Sequence, residues 1–355
     1  MSVYFIAEAG VNHNGNKDMA FQLIDAAVAA GADAVKFQTF SADALASQVA
    51  PKAAYQNDST DATETQREML KRLELPLAWH SPLRDYCTQQ GVAFLSTPFD
   101  TQSLHFLVDD LGLETLKVPS GEMTNGPFLL QIAETGCDII LSSGMSTLDE
   151  IREALEVIAF GLLGNQGAPS KQAFGAAFAS EPGQAALRKK VTLLQCTSAY
   201  PTPLADANVL AMVTMRDTFG LKVGFSDHTE GSTASFCATA LGAEIIEKHF
   251  TLDRALPGPD HKASLEPAEL KTLIDGVRAI EISLGDGIKI PQPSEVGTAV
   301  VARKSLIALK PIKSGDPFTA ENLGATRAGG GLSPMNFWRL IGTIADRNID
   351  VGEPL

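Results

Sequence analysis

KVGFSDHTEGSTASFCATALGAEIIEKHF, residues 222–250, places two short apolar runs, a small-residue segment and two histidines within one stretch. Val223–Phe225 and Glu244–Glu247 predict short buried strands, and Ser232–Leu241 between them predicts a helix. Together they form one βαβ unit with a histidine, His228 or His249, at the carboxyl end of each strand. Parallel α/β folds bind ligands at that end of the sheet. Strand alternation sets Ser226 and His228 on one face, and Glu247 with His249 on one face of the next strand. Taken singly, each histidine reads as a buried, hydrogen-bonded residue. As a matched pair on neighbouring strands, they can aim two imidazoles at one ion.

Working outward, the same alternation of strand and helix runs from the start of the chain. Tyr4–Ala9, Ala34–Phe40, Ala93–Phe99, Thr115–Ser120, Ile139–Ser143 and Val191–Cys196 read as the six preceding strands. Helices are predicted at Lys17–Ala30, Thr101–Leu111, Pro127–Thr135, Thr147–Phe160, Asp206–Phe219 and Glu266–Leu284. Eight βα units within residues 1–285 suit a closed (β/α)8 TIM barrel. The alternative is an open doubly wound sheet, but no Gly-rich dinucleotide fingerprint follows the first strand. Two insertions break the rhythm. Ser41–Leu75 follows the second strand, so it belongs at the carboxyl face and is placed to fold over the site. Leu162–Lys190 precedes the sixth strand and is expected at the opposite face, solvated or facing a partner.

After Gly285 the composition changes. Residues 286–298 read as a Pro- and Gly-punctuated linker, and 299–355 as a separate small β-rich module. IKSGDPF at 312–318 and IDVGEPL at 349–355 repeat one turn pattern, which suggests pseudo-symmetry. A module this small buries a marginal core alone, so it is expected to dock on a barrel, its own or a partner's.

The 355 residues carry a formal net charge of −14, which argues against nucleic acid as a partner. No apolar run reaches the ~20 residues that span a bilayer, so no membrane association is expected. The four cysteines lack CxxC spacing and the start lacks a signal-peptide pattern, which together suit a reduced, cytoplasmic protein.

Polar residues cluster where the predicted strands end. Glu8 ends the first strand, and Lys36 and Gln38 lie two apart on the second. Thr97 ends the third, Lys117, Ser120 and Glu122 the fourth, and Ser142 with Ser143 and Gly144 the fifth. Lysines, hydroxyls and Gly-flanked amides suit a phosphate or carboxylate, and the carboxylates suit acid–base work. Singly, such lysines often neutralise buried carboxylates, here Glu247, and such hydroxyls often cap helices. Charged groups at many strand ends on one face are costly to bury without purpose. That face is the predicted site.

The ordered motifs EAGVNHNG, VKFQT, FLSTPF, KVPSGE, ILSSGMS, CTSAYPTP, GFSDHT, EKHF and PGPDHKASLEP resemble the sialic acid (nonulosonic acid) synthases over nearly the whole chain. The resemblance implies a transferase of carbohydrate biosynthesis that condenses phosphoenolpyruvate with an N-acyl mannose-type sugar. It also implies a barrel followed by an antifreeze-like (SAF) domain, in a domain-swapped homodimer. By motif, His228 and His249 would bind a divalent cation, Mn²⁺ with Mg²⁺ or Co²⁺ as alternatives. Lys36, Thr97, Lys117, Ser120, Ser142 and Ser226 would hold phosphoenolpyruvate. Glu8, Gln38, Glu122, Tyr200 and Asp260 would contact or activate the sugar and the attacking water. Arg327 would enter the partner's site and touch the N-acyl group.

Ser198 stands where neuraminate synthases typically carry Asn, and Pro119 where they carry Gly. Both resemble the branch that makes legionaminic acid from a 2,4-diacetamido-trideoxy sugar, so that acceptor is expected over N-acetylmannosamine. Two competing readings are a pyruvate aldolase working through a Lys36 or Lys117 imine, and a non-catalytic sugar- or ice-binding protein.

Overall fold

The computed structural model describes residues 2–47, 50–52, 64–164 and 167–355. The chain divides into two compact units, Met1–Gly285 and Asp286–Leu355.

In the first unit eight strands pair in parallel. They are β1 (Tyr4–Gly10), β2 (Ala34–Thr39), β3 (Ala93–Pro98), β4 (Thr115–Val118), β5 (Asp138–Ser142), β6 (Val191–Cys196), β7 (Lys222–Asp227) and β8 (Ile245–His249). Their hydrogen-bonded order is β3-β2-β1-β8-β7-β6-β5-β4. The end strands β3 and β4 lie against each other, so the sheet curls into a near-closed barrel. The open doubly wound sheet is thereby excluded.

Period-two alternation gives the barrel interior two layers. Ile6, Ala34, Leu95, Ile140, Leu194 and Ile245 form an apolar plug inside the strands. Each stands two residues before a polar or thiol side chain: Glu8, Lys36, Thr97, Ser142, Cys196 or Glu247. The plug keeps water out from below, and the layer above it supplies the chemistry. On β7 the corresponding position is Gly224, where a Cβ would sit 2.4 Å from the Ile245 carbonyl oxygen and 2.6 Å from Leu194. The opposite strand faces pack against the surrounding helices in a second, larger core.

Lys17–Ala30 is helical as expected, capped by the Asn16 side chain and closed by Gly31 in the left-handed conformation. A further helix, Leu77–Gln90, lies outside the predicted elements; Pro76 stands at its N-cap and Pro82 inside it. It forms because His80, Leu83 and Cys87 are buried on one face. The predicted Thr101–Leu111 helix runs as a short α-helix to His105 and continues as a π-helical turn, Phe106–Asp110.

Of the first insertion, the helices Ala42–Leu45 and Gln66–Leu73 are described, while residues 53–63 lie outside the described residues. The second insertion is helical over most of its described length. It forms two helices, Lys171–Ala179 and Glu181–Lys190. Phe174 packs edge-on against Phe160 with ring centroids 5.1 Å apart, and Lys171 pairs with Glu153 at 3.3 Å. Glu153 belongs to the Leu148–Leu163 helix that follows β5, so this insertion covers the barrel's outer wall rather than only its far end.

The second unit has its own small core around Ala308, Ile312, Phe318, Leu323, Ala345 and Ile349. Strands β9 (Ser305–Ala308) and β10 (Leu323–Thr326) pair antiparallel. The Val296–Ala302 helix precedes them and runs across residues 298–299. The two sequence repeats share one geometry. Ile312 and Ile349 exchange backbone hydrogen bonds of 3.0 and 2.8 Å. Gly315 and Gly352 both take left-handed φ, 92° and 82°. The Lys313 and Asp350 amides each donate, at 2.9 Å, to the carboxylate three residues on.

Candidate active site

The carboxyl ends of the strands surround a cavity of about 400 Å³. Glu8, Lys36, Thr97, Lys117, Ser120, Ser142, Ser198, Tyr200, Ser226, His228 and His249 all line it. One consequence of parallel strand register is that residues distant in sequence reach one depth in the barrel: Glu8 stands level with Lys36 and with His249.

Glu247 organises the charge. Its carboxylate accepts from Ser226 Oγ at 2.8 Å and pairs with Lys117 Nζ at 3.2 Å and Lys36 Nζ at 3.5 Å. Burial opposes its charge, but Lys117 and Lys36 outweigh burial and hold its pKa well below the ordinary carboxylate range. Lys36 also pairs with Glu8 at 2.5 Å and donates to Thr97 Oγ1 at 3.2 Å. Burial works against the Lys36 charge, yet Glu247 and Glu8 push its pKa up. Glu8 accepts from Gln38 Nε2 at 3.1 Å. Burial raises its pKa, Lys36 opposes the rise, and Glu247 adds to it. One lysine is shared by two carboxylates, and the one with no second lysine is the one that keeps a proton more readily.

The imidazoles stand beside this cluster, with ring centroids 5.5 Å apart. His228 Nδ1 lies 2.8 Å from the Thr197 carbonyl oxygen. A carbonyl only accepts, so Nδ1 carries the hydrogen and Nε2 is the atom left for a ligand. Burial opposes a charged ring, but Cys196 and the Thr197 carbonyl raise its pKa, so a cation bound there would displace the Nε2 proton. Cys196 Sγ lies 3.6 Å from the same Nδ1. His249 Nδ1 is buried without a hydrogen-bond partner among the described residues. Burial and the neighbouring His228 depress the His249 pKa, so its ring is neutral and able to coordinate. The two rings therefore fit a divalent cation. Among the described residues no group of three or more His, Cys, Asp or Glu suits an ion, so its other positions would fall to water or substrate. Tyr200 packs on both rings, 4.1 Å from His228 and 5.6 Å from His249 between centroids. Asp260 Oδ2 lies 3.9 Å from His249 Nδ1, and burial, with Glu8 nearby, raises its pKa to about 6.

Hydroxyls and amides complete the wall. Ser142 Oγ is buried and unpartnered among the described residues, and the Gly144 amide donates to Ser120 Oγ at 3.0 Å. Gly144 has no room for a side chain, because a Cβ there would lie 2.3 Å from Ser198 Oγ and 2.7 Å from Ser120 Oγ.

A model of the NeuB family matches residues 23–289. This chain belongs to the NeuB family. It is 46% identical over 343 residues to the N,N'-diacetyllegionaminic acid synthase of Campylobacter jejuni, covering 97% of this chain and 96% of that one. It is 40% identical over 355 residues to the enzyme of that name from Legionella pneumophila, covering 100% and 94%. Among solved structures it resembles the N-acetylneuraminic acid (sialic acid) synthetase of Leptospira borgpetersenii, crystallised with citrate. There the identity is 31% and the TM-score 0.66, over 83% of this chain and 89% of that one.

Four site residues expected of this NeuB-family chain lie off the cavity wall. Gln38 reaches it through Glu8, and Asp260 through His249. Glu122 follows the lining residue Gly121 and accepts from the Asn125 side chain at 2.6 Å. Arg327 is exposed just past β10, in the second unit. Sequence reasoning missed Gln66, Phe99, Met145 and Cys196 in the wall. Cys196 carried a legible signal, its place at the end of β6. Gln66 falls within the Ser41–Leu75 insertion expected to fold over the site, but nothing local singles it out within that stretch.

Proposed function

We propose that this chain condenses phosphoenolpyruvate with 2,4-diacetamido-2,4,6-trideoxymannose to give N,N'-diacetyllegionaminate and phosphate. The observation that carries the chemistry is one cavity holding two buried lysines, a row of hydroxyls and two neighbouring imidazoles. The 46% and 40% identical relatives support the acceptor sugar, together with Ser198 in the wall.

Lys36 and Lys117, with Thr97, Ser120, Ser142 and Ser226, take the phosphate and carboxylate of phosphoenolpyruvate. Their positions are set by strand ends, so little reorganisation is needed as charge moves. His228 and His249 hold a divalent cation, taken to be Mn²⁺, with Mg²⁺ or Co²⁺ as alternatives. When bound, that cation supplies Lewis-acid polarisation of the open-chain sugar's aldehyde. The enol carbon of phosphoenolpyruvate bonds to the aldehyde carbon, whose oxygen becomes a hydroxyl on gaining a proton. Water adds at the positive C2 and gives up a proton. The C2–O bond to phosphate then breaks while the new C2 hydroxyl passes its remaining proton to the departing phosphate, leaving the ketone and releasing hydrogen phosphate. Glu8 and Asp260, the two buried carboxyls with raised proton affinity, take the proton from water and return one to the aldehyde oxygen. Gln38 orients Glu8, Tyr200 contacts the sugar beside the imidazoles on which its ring packs, and Glu122 meets the part of the sugar that extends past Gly121. The second unit is read as an antifreeze-like (SAF) domain that carries Arg327 to the site of a second copy in a domain-swapped homodimer.

The test is phosphate release from phosphoenolpyruvate with Mn²⁺, offering the trideoxy sugar and N-acetylmannosamine in parallel. Preference for the trideoxy sugar is expected. Preference for N-acetylmannosamine would make this a neuraminate synthase and remove the role given to Ser198. Borohydride trapping of a Lys36 or Lys117 imine, with no phosphate released, would replace the reading by an aldolase.

A further inference from the structure

Asp227 and Lys248 lie off the cavity wall, and no step of the chemistry above uses them. Each immediately precedes one of the two histidines, so alternation turns both side chains to the outer face of the sheet, away from the imidazoles. Both are buried, at 1% exposure, and they pair at 3.1 Å. An ion pair enclosed this fully adds little net stability over apolar residues, so its retention calls for another reason.

The hydrogen bonds supply one. Strand β7 ends at Asp227, which stands in register with Lys248, and His228 lies one residue beyond the ladder. Past that point backbone pairing is reduced to a single bridge, in which the Thr202 amide donates to the His228 carbonyl oxygen at 2.8 Å, and side chains add to it. Lys248 Nζ donates to the Thr229 carbonyl oxygen as well as to Asp227. Asp227 Oδ1 accepts from the Thr229 amide at 2.8 Å and the Thr229 hydroxyl at 2.7 Å. Asp227 Oδ2 accepts from Ser235 Oγ at 2.6 Å, which ties the network to the Thr233–Ala240 helix behind the sheet. The residue before His249 therefore grips the residues on both sides of His228.

We propose that the Asp227–Lys248 pair is a positioning element that fixes the two imidazoles relative to each other and thereby sets cation affinity. This rests on the reading of His228 and His249 as the ligands. A single replacement leaves the other charge stranded in the core, so the informative variant is the charge-free pair Asp227→Asn with Lys248→Met. In the full-length protein, Mn²⁺ binding is followed by paramagnetic resonance, phosphoenolpyruvate binding by calorimetry without metal, and folding by thermal melting. The expected result is a folded protein with unchanged phosphoenolpyruvate affinity and a Mn²⁺ dissociation constant raised by about ten- to a hundredfold, as for other supporting partners of metal ligands. Wild-type Mn²⁺ affinity in that folded variant overturns the proposal.

Should the paired variant fail to fold, Thr229→Val and Ser235→Ala each remove one hydroxyl donor to Asp227 and no charge. Weaker Mn²⁺ binding in these two, with phosphoenolpyruvate binding intact, supports the proposal, and unchanged Mn²⁺ binding in both overturns it. His228→Ala and His249→Ala separate the two levels of the argument. If both still bind Mn²⁺ as wild type does, the metal reading fails and takes this proposal with it. If both lose Mn²⁺ while the Asp227–Lys248 variants keep it, only the positioning role fails.

Discussion

Glu247 shows how a residue that need not touch substrate can control those that do. Its carboxylate pairs with Lys36 and Lys117 and pushes the Lys36 pKa up against burial, while its share of Lys36 leaves Glu8 less well neutralised. Lys117→Met therefore does more than remove one cation. Lys36 becomes the only lysine near Glu247, and the anion pocket loses half of its lysine charge. The expected outcome is a phosphoenolpyruvate KM raised by about a hundredfold, equivalent to ~2.7 kcal/mol, with the sugar's KM little changed. Initial-rate kinetics with each substrate varied in turn check this, and the opposite pattern would remove Lys117 from the phosphate end. At this scale the residue types were legible, since Glu8, Lys36, Thr97 and Lys117 each sit near a recognisable strand end. The pairing of these lysines with Glu247 was legible too, as the carboxylate that buried lysines call for, and both ion pairs are present. The sharing of Lys36 with Glu8 was not, because it depends on the register between β1 and β2.

Elements meet at the carboxyl face through histidines other than the proposed ligands. His13 follows β1, His80 lies on the Leu77–Gln90 helix, and His261 lies in the loop after β8. All three are buried, and burial lowers each pKa to about 4, with His80 and His261 adding to the effect at His13. The folded-state pKa of each is thus depressed below the ordinary value of 6.5. Between those two values the unfolded chain binds more protons than the folded one, so stability falls as pH drops. Their contribution is fully present above pH ~6.5 and lost progressively toward pH ~4. Urea midpoints should decrease across that window, and His80→Gln should flatten the slope. A midpoint that stays level from pH 7 to 5 would mean that these rings open to water and titrate normally. The helix carrying His80 also shows where local pattern fails. Prolines at 76 and 82 argue against it, and burial of His80, Leu83 and Cys87 beside the barrel outweighs that preference.

For the molecule as a whole, the main consequence of the proposed function is that a complete site needs two chains. Arg327 is exposed within its own unit, consistent with a role outside it. If it serves the partner's barrel, Arg327→Ala and Lys117→Met are complementary lesions. At phosphoenolpyruvate well below the raised KM each homodimer is nearly inactive, but a mixed dimer holds one site with both residues intact. Random exchange should then restore about a quarter of wild-type turnover, since half the dimers are mixed and each has one working site. Activity that stays at the level of the separate variants after exchange would place Arg327 and Lys117 in one chain's site, or remove Arg327 from it.

The sequence by itself determined the eightfold alternation of strand and helix, the polar strand ends and the repeated turn of the C-terminal unit. These are local signals: period two, period 3.6, and glycine where the backbone turns left-handed, as at Gly315 and Gly352. Only the tertiary structure decided which residues meet. Parallel register brings Glu8, Lys36 and His249 level across β1, β2 and β8. Barrel closure turns Glu247 toward both lysines, and beyond the end of β7 Asp227 and Lys248 add their grip on the residues flanking His228. A side chain's partner depends on where other strands lie, and that information is carried by packing rather than by any local run of residues.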